Sequence, residues 1–439
     1  MKFYNREKEI ARLQEIQKQS VNNAQFTIIT GRRRIGKTQL LLHATKGQLT
    51  LYFFVARKAE SFLCQDFLQE MNKKLRIPVL GDVSSFGKLF KYLMEYSKNT
   101  PFNLIIDEFQ EFFHIAPSVY SEMQHHWDVI KSDSKINLIV CGSVFSLMHK
   151  IFENSKEPLF GRATQMMKIR AFETSVLKEV LNEHNPSATP DDLLALYSFT
   201  GGVAKYVQLF IDGGAHSIKD MTDLMIQEDS PFLQEGKNML IEEFGKEYAN
   251  YFTILSAIAR GKNTRSKIEA LVKREAGGYL TRLQKDYNLI SKSTPVFSKA
   301  ETKNVRYIIE DNFLIFWFRF IYKYSHITEI GGFNELKKII ERDYTTFTGI
   351  MLERYFRTKL TEESRFTRIG GYWDKKGETE IDLIAVNELE KYAEFIEVKR
   401  TPSEINLEKL REKSYAFMRA TGELKDYKIS YRGLSLNDM

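Results

Sequence analysis

One short motif constrains the fold of this chain more than any other stretch: Gly31-Arg32-Arg33-Arg34-Ile35-Gly36-Lys37-Thr38, which fits G-x-x-x-x-G-K-[ST]. An apolar run at Phe26–Thr30 precedes the motif, and helix-forming residues at Gln39–His43 follow it. A glycine-rich turn between a strand and a helix lets backbone N–H groups surround phosphate oxygens, and the helix dipole favours their negative charge. The context therefore predicts a phosphate-binding loop in an α/β sheet, against the alternative of a chance glycine-rich turn.

Two side chains of this loop carry the chemistry of ATP binding. Lys37 can reach the β- and γ-phosphates, and the Thr38 hydroxyl is placed to ligate Mg²⁺. We therefore predict ATP and Mg²⁺ as cofactors, with nucleotide contacts from the whole loop and from the first residue after it. The predicted contacts are Gly31, Arg32, Arg33, Arg34, Ile35, Gly36, Lys37, Thr38 and Gln39.

A second motif has the form of the acidic strand that accompanies such a loop. The apolar run Asn103–Ile106 ends in Asp107 and Glu108. Asp107 is predicted to hold Mg²⁺ through water, and Glu108 is predicted to orient or activate the attacking water. An acidic strand end followed by a helix cap is the alternative. A further strand at 137–141 ends beside Ser143, which we predict to be a polar sensor of the γ-phosphate.

Apolar strands at 26–30, 51–55, 103–106 and 137–141 alternate with helical segments, which is typical of a parallel α/β sheet. After about residue 172 the strands are expected to stop and helices to follow. Arg162 lies near the end of the first part, and it is predicted to be a second sensor or an arginine finger, or else a surface arginine.

Several of these segments resemble one protein family, and the resemblance covers about residues 1–245. Phe3-Tyr4-Asn5-Arg6-Glu7, GRRRIGKT, LIIDEFQ, CGSVFSLM and LFGRAT are similar to an archaeal and bacterial P-loop ATPase family related to the STAND and AAA+ NTPases. The resemblance implies that Asn5–Glu7 lie near the adenine, with Asn5 and Arg6 as nucleotide contacts. It also implies a Gly-Gly-x-Pro turn, where this chain has Gly201-Gly202-Val203-Ala204.

Composition is that of a globular chain, with 43% hydrophobic and 28% charged residues. No segment is expected to span or bind a membrane, and we expect a cytoplasmic protein. The whole net charge of +7 is concentrated in residues 246–310, which hold 13 Lys or Arg and 6 Asp or Glu. Such a segment is either a solvated face or a surface for nucleic acid.

The pattern within this basic segment favours a winged helix. Three helices at 248–260, 266–272 and 278–289 precede two strands around a polar loop. Cations fall on the third helix and on the wing, where they are predicted to contact DNA. They are Arg282, Lys285, Lys292, Lys299 and Lys303. A structural or protein-binding module is the alternative, and a homo-oligomer or a protein partner is possible in either case.

The C-terminal part carries a constellation of acids. If the strands at 380–386 and 392–399 form a hairpin closed by Asn387 and Tyr392, Asp382 faces Glu397, and Lys399 shares their face. Like charges opposite each other destabilise a sheet unless something binds them. The spacing resembles PD-(D/E)xK nucleases, although Ile381 precedes Asp382 where the family name has proline.

This resemblance implies that Asp382, Glu397 and a helix acid, Glu353, bind Mg²⁺, and that Lys399 is catalytic. A polar hairpin face is the alternative. Residues Tyr307–Trp317 also resemble the entry to the DUF234-like domain that is often attached to these ATPases.

The predicted fold is an α/β multidomain protein with four parts. They are a P-loop ATPase core (1–172), a helical lid (173–245), a winged helix (246–325) and a restriction-endonuclease-like domain (335–439). Three functions follow: a DNA-cleaving ATPase, a nucleotide-dependent signalling switch with a degenerate nuclease domain, or a transcriptional regulator.

Overall fold

The computed structural model describes residues 1–76 and 83–439, and the chain divides into two compact units. The N-terminal unit comprises residues Asn5–Arg170. The C-terminal unit comprises Ala171–Met439 together with the first four residues, Met1–Tyr4. Within the described residues, no helix is both long enough and apolar enough to cross a membrane.

The N-terminal unit is built on a five-stranded parallel sheet with the strand order β2-β3-β4-β1-β5. Its elements are α1 (Glu7–Ser20), β1 (Gln25–Gly31), α2 (Lys37–Ala44), β2 (Thr50–Phe54), α3 (Glu60–Leu75), α4 (Phe86–Tyr96), β3 (Phe102–Asp107), α5 (Phe112–Ile115), α6 (Ser118–Ile130), β4 (Ile136–Gly142), α7 (Phe145–Glu153) and β5 (Gln165–Ile169).

Strands β3 and β4 are buried along their whole length, because helices cover both faces of a parallel sheet. Their continuous apolar runs therefore follow from their position, and the predicted parallel α/β core is confirmed. Strand β5, which pairs with β1 at the sheet edge, was not predicted from the sequence. Only its last residue, Ile169, is fully buried, so the strand lacks the apolar run of its neighbours.

Helices dominate the first part of the C-terminal unit. They are α8 (Thr174–His184), α9 (Pro190–Thr200), α10 (Ala204–Asp212), α11 (Ile218–Met225), α12 (Pro231–Phe244), α13 (Tyr248–Ala259), α14 (Arg265–Val272) and α15 (Gly277–Lys285). The turn between α9 and α10 holds Gly201 and Gly202 at φ +58° and +72°. A Cβ on Gly202 would lie 2.7 Å from the carbonyl oxygen of Phe172, so this position requires glycine.

Two strands, β6 (Ile290–Ser293) and β7 (Arg306–Ile309), pair antiparallel after α15 and complete the three-helix-and-hairpin arrangement. The remaining elements are α16 (Asn312–Phe316), a π-helical turn (Trp317–Tyr322), α17 (Ser325–Glu329), α18 (Phe333–Glu362), β8 (Arg368–Trp373), β9 (Glu380–Asn387), β10 (Tyr392–Val398), α19 (Leu407–Thr421) and β11 (Lys428–Leu434).

The four-stranded C-terminal sheet has the order β11-β10-β9-β8. Strands β9 and β10 are antiparallel, and their register runs from Tyr392 opposite Asn387 to Ile396 opposite Leu383. This is the register that the sequence predicts. Strand β11 pairs parallel to β10, and α19 covers one face of the sheet through Leu410 and Phe417.

The loop between β6 and β7, which we call the wing (residues 294–305), lies on the edge strand β8. The N–H of Val296 donates to the Gly371 carbonyl at 2.9 Å, and the Trp373 indole donates to Asn304 at 2.9 Å. Val296 is 7% exposed and belongs to the apolar core of the C-terminal sheet. The wing is therefore part of that core.

Contacts also join the other predicted domains within the C-terminal unit. Tyr197 on α9 lies within hydrogen-bond distance of Thr358 on α18, at 3.0 Å, and the Asn312 amide donates to the Tyr197 carbonyl. Arg400 forms an ion pair with Asp191 at 2.7 Å. The predicted lid, winged helix and C-terminal domain are thus closely packed, and their boundaries stay predictions.

Candidate functional site

The phosphate loop joins the carboxyl end of β1 to the amino end of α2, as its motif predicts. Helix α2 begins at Lys37, directly after Gly36 in the left-handed conformation. The Lys37 side chain is buried, and its Nζ donates to the carbonyls of Gly31 at 2.9 Å and Arg32 at 3.2 Å. Burial lowers the pKa of Lys37, against the attraction of Glu108 and Asp107.

The other predicted contacts of the loop differ in exposure. Ile35 is 2% exposed and anchors the loop, whereas Gln39 lies on the solvent side of α2. The arginines at the tip are each partly exposed, namely Arg32, Arg33 and Arg34.

The acidic end of β3 meets this loop. The Thr38 hydroxyl donates to Asp107 Oδ2 at 2.8 Å, so the two side chains predicted to share Mg²⁺ are adjacent. The phenol of Tyr52, on β2, donates to the same oxygen at 2.6 Å. The Cys141 thiol, on β4, donates to Asp107 Oδ1 at 2.9 Å. Burial raises the pKa of this thiol, which keeps it protonated as a donor.

Glu108 follows in the left-handed conformation, with φ +53°. This sparsely populated conformation turns its side chain away from the strand direction. Its Oε2 accepts hydrogen bonds from Gln110 at 2.6 Å and from Ser143 at 2.8 Å. The predicted sensor Ser143 therefore contacts the predicted catalytic acid directly.

Sequence reasoning missed three residues that hold these acids: Tyr52, Gln110 and Cys141. Gln110 was visible as the last residue of LIIDEFQ, two positions after Glu108. Tyr52 and Cys141 lie on the strands that flank β3, and only the strand order shows that they approach Asp107.

Comparison with known proteins agrees with this geometry. A family model described as an ATPase domain predominantly from Archaea matches residues 3–210. The uncharacterized protein MJECL04 of Methanocaldococcus jannaschii is 30% identical over 414 residues, which cover 90% of this chain and 87% of the relative. The chain belongs to this P-loop ATPase family.

A solved structure of similar fold is the Walker-type ATPase paby2304 of Pyrococcus abyssi. It covers 72% of this chain and 96% of its own, with a TM-score of 0.55 at 19% identity. A second family model, described as archaeal and bacterial proteins of unknown function, matches residues 317–410 of the ATPase. The predicted resemblances to the P-loop ATPase family and to the DUF234-like domain are thus confirmed.

Three further residues predicted for the nucleotide site of the ATPase make contacts of other kinds. The Arg6 guanidinium donates to Glu9 at 3.2 Å and to the Arg170 carbonyl at 2.7 Å, while Asn5 accepts a hydrogen bond from the Arg6 N–H. The Arg162 guanidinium donates to Asp128 at 3.0 and 3.1 Å. Arg162 is thus engaged in an ion pair, and its role as a sensor, an arginine finger or a surface arginine stays a prediction.

A second group of predicted residues lies at the start of β9 and the end of β10. Asp382 Oδ2 accepts from the Val398 N–H at 2.8 Å and from Lys399 Nζ at 3.2 Å. Lys399 Nζ is also 3.9 Å from Glu397 Oε1. Burial works against the charge of Lys399, but the attraction of Asp382 and Glu397 raises its pKa. The two facing acids are therefore held together by this lysine.

Glu353, on α18, lies in the same neighbourhood. Burial, followed by repulsion from Asp382, raises the pKa of Glu353 to about 8. Across residues 1–76 and 83–439, no group of three or more His, Cys, Asp or Glu side chains is arranged to hold a metal ion. Glu353, Asp382 and Glu397 are therefore not arranged as a three-acid metal site in this structure, and their role as metal ligands stays a prediction. One reason is that Glu397 Oε2 accepts from the Asn406 N–H at 2.7 Å, while Asp382 is engaged by Lys399.

Proposed function

We propose that the protein binds ATP with Mg²⁺ at the phosphate loop and hydrolyses it. The observation that supports this most is the 2.8 Å contact between Thr38 and Asp107 at the carboxyl end of the sheet. A hydroxyl and a carboxylate are oxygen ligands that suit Mg²⁺ beside phosphate groups, so these residues fit the ion. When bound, Mg²⁺ neutralises charge on the transferring phosphoryl group.

The protein's own side chains would carry the remaining roles. Lys37 exchanges its hydrogen bonds to two loop carbonyls for bonds to phosphate oxygens. Glu108 orients the attacking water and accepts its proton. Ser143 and Gln110 fix the direction of the Glu108 carboxylate, so Ser143 acts through Glu108. Arg162 stays a candidate sensor only if its pair with Asp128 opens.

Phosphate release and binding of a fluorescent ATP analogue test this proposal. Lys37→Ala removes a charged contact of about 1.5–3 kcal/mol, so affinity should fall roughly 10- to 150-fold. Lys46→Ala is the matched control, because Lys46 is an exposed lysine just beyond the same helix. Equal turnover in wild type and Lys37→Ala would refute ATP hydrolysis at this loop.

We also propose that the C-terminal unit associates with nucleic acid through residues 246–310. In support, the cations of α15 and of the β6–β7 hairpin are exposed: Arg282, Lys285, Lys292, Lys299 and Lys303. Duplex DNA should bind with an affinity that falls steeply as salt rises, and Lys285→Glu with Lys292→Glu should flatten that slope. Salt-independent binding, or no binding, would count against this surface.

A second candidate function is a nucleotide-dependent switch whose nuclease-like sheet does not cut. The Lys399 ammonium favours it over cleavage, because it lies 3.2 Å from Asp382 Oδ2 and 3.9 Å from Glu397 Oε1 and offsets the charge of both acids without a metal ion. Incubation of DNA with Mg²⁺ or Mn²⁺, with and without ATP, should leave it intact. Cleavage that Lys399→Ala or Glu397→Ala abolishes would instead support a nuclease function.

If the protein is a nucleotide-dependent switch, ATP should change its oligomeric state or its affinity for a protein partner, as measured by light scattering.

A further inference from the structure

The C-terminal unit encloses a cavity of about 370 Å³ that the proposed function does not use. Its walls come from the β6–β7 hairpin, the end of α13, α16 with the π-helical turn, helix α18 and strands β8 and β9. They include Glu353 and Asp382 of the second group of predicted residues described above. A volume of this size lies within the range of small-molecule sites and is too small for a duplex. Ile350, one of its lining residues, is 58% exposed, so the cavity reaches solvent beside it.

Four arginines line this cavity, and two of them brace its walls. Arg354 donates to the carbonyl of Ile309 at 2.6 Å and to that of Glu310. Arg306 donates to Glu380 at 2.6 Å and lies 4.2 Å from the centre of the Trp373 ring. These two guanidinium groups are engaged in holding the hairpin, α18 and the sheet together.

The other two, Arg319 and Arg357, lack such partners. Among the described residues, neither guanidinium hydrogen-bonds a carboxylate or a carbonyl, and burial lowers the pKa of both. Arg319 lies 5.5 Å from the ring centre of Phe347. A partly buried guanidinium without a hydrogen-bonded partner costs free energy, so its retention beside a cavity points to an anionic ligand.

The backbone at Gly371 leaves room for the Arg357 guanidinium. A Cβ on Gly371 would lie 3.0 Å from the Asp382 carbonyl oxygen and 3.8 Å from Arg357 Nη2. The register of β8 and β9 also shifts between Gly370 and Tyr372. Bulges of this kind redirect a strand beside functional sites.

The acids that line the cavity cancel only part of this charge. Glu380 is paired with Arg306, and Asp382 is paired with Lys399. Glu310 and Glu353 also line the cavity, and both attract Arg357. The three other arginines, Arg319, Arg354 and Arg357, outnumber these two remaining acids, so the cavity keeps a net positive charge.

We propose that this cavity binds the phosphate of one nucleotide, with Arg319 and Arg357 as its guanidinium ligands. Planar guanidinium forks match phosphate oxygens, and the apolar lining from Ile258, Ile315 and Met351 suits a sugar or base. The nucleotide is either free or the unpaired end of a strand. A strand end as ligand rests on the proposed association with nucleic acid, whereas a free nucleotide does not.

Equilibrium binding of two probes tests the proposal on the full chain in the Lys37→Ala background, in EDTA, so that neither the P-loop nor cleavage interferes. The probes are AMP, measured by calorimetry, and a 5′-phosphorylated single-stranded DNA hexamer with a 3′ fluorophore, measured by anisotropy. Arg319→Gln and Arg357→Gln should each lower the affinity for whichever probe binds by at least about tenfold. Lys338→Gln is the control, since Lys338 is an exposed cation on the same helix as Arg357 and does not line the cavity.

A second pair of variants keeps the test decisive if an arginine variant fails to fold. Ile350→Glu places a negative charge at the exposed rim of the cavity and should weaken binding as well. Ile330→Glu is its control, because Ile330 is 84% exposed and does not line the cavity.

Three outcomes are distinguishable. Binding of AMP that depends on Arg319 and Arg357 identifies a free nucleotide, and binding of the phosphorylated hexamer alone identifies a strand end. Absence of binding by either probe, or binding that these variants leave unchanged, overturns the proposal. Lys285→Glu should not affect the binding of AMP. A failure of the proposed DNA-binding surface can therefore be distinguished from a failure of this site.

Discussion

Replacing Glu353 by glutamine should stabilise the C-terminal unit at neutral pH. The carboxyl of Glu353 is removed from water and faces Asp382, which together raise its pKa from 4.5 to about 8. The folded protein therefore holds this proton at pH 7, while the unfolded chain releases it. An acid of this kind makes the protein less stable as pH rises, since ionisation favours the unfolded state.

The size of the effect follows from the pH window. Below pH 4.5 Glu353 is protonated in both the folded and the unfolded state, so it does not change the free energy of unfolding. Between pH 4.5 and pH 7 only the unfolded chain loses the proton, at 1.36 kcal/mol per pH unit, which amounts to about 3 kcal/mol. The loss continues up to about pH 8 and then levels off. Glutamine has no proton to lose, so its advantage should grow over the same window.

Urea unfolding measured by tryptophan fluorescence checks this prediction. The chain has 3 tryptophans, and a Trp127→Phe background leaves only Trp317 and Trp373, both in the C-terminal unit. The difference between Glu353→Gln and its parent should be small at pH 5 and about 3 kcal/mol at pH 7, in EDTA. Glu341→Gln, at an exposed position of the same helix, should show no such growth. A difference that is equal at both pH values would refute the reasoning.

Three further outcomes are expected. Glu108→Gln should lower phosphate release at least about 100-fold while analogue binding stays within a few-fold; a parallel loss of binding would mean that Glu108 serves to hold nucleotide. Tyr52→Phe removes the hydrogen bond to Asp107 and should destabilise the N-terminal unit by about 1–3 kcal/mol, as read from Trp127 fluorescence in urea; unchanged stability would argue that the bond contributes nothing. Gly202→Ala should destabilise the C-terminal unit by more than about 1 kcal/mol, because of its φ of +72° and its contact with Phe172, whereas Gly278→Ala on α15 has open space and should not.

Much of the N-terminal site could be predicted, because its signals are local. The phosphate loop and the acidic strand end each occupy a few consecutive residues, and a parallel sheet necessarily brings strand ends to one edge. The hairpin register was also predictable, since a short loop and alternating apolar residues fix which side chains face each other.

The remaining features depend on packing between distant segments. Strand β5 was missed because an edge strand needs few apolar residues, and the pair between Lys399 and Asp382 depends on rotamers that sequence does not specify. The position of the wing against β8 joins residues about 75 apart through single contacts, such as that of Val296 with Gly371. No periodicity in either segment predicts this contact.

The shared core of the wing and the C-terminal sheet has a consequence for how this chain can be divided. The family match over residues 317–410 leaves out both the wing and β11. A fragment cut at residue 317 or 335 would lose Val296 and Asn304, exposing the apolar side of Tyr372 and removing the partner of the Trp373 indole. Such a fragment should aggregate or unfold, whereas a cut near Ala171 removes only Met1–Tyr4 from the C-terminal unit and should yield a folded piece. The hairpin proposed to contact DNA is therefore also a structural part of the C-terminal sheet, and a cut that removes one destabilises the other.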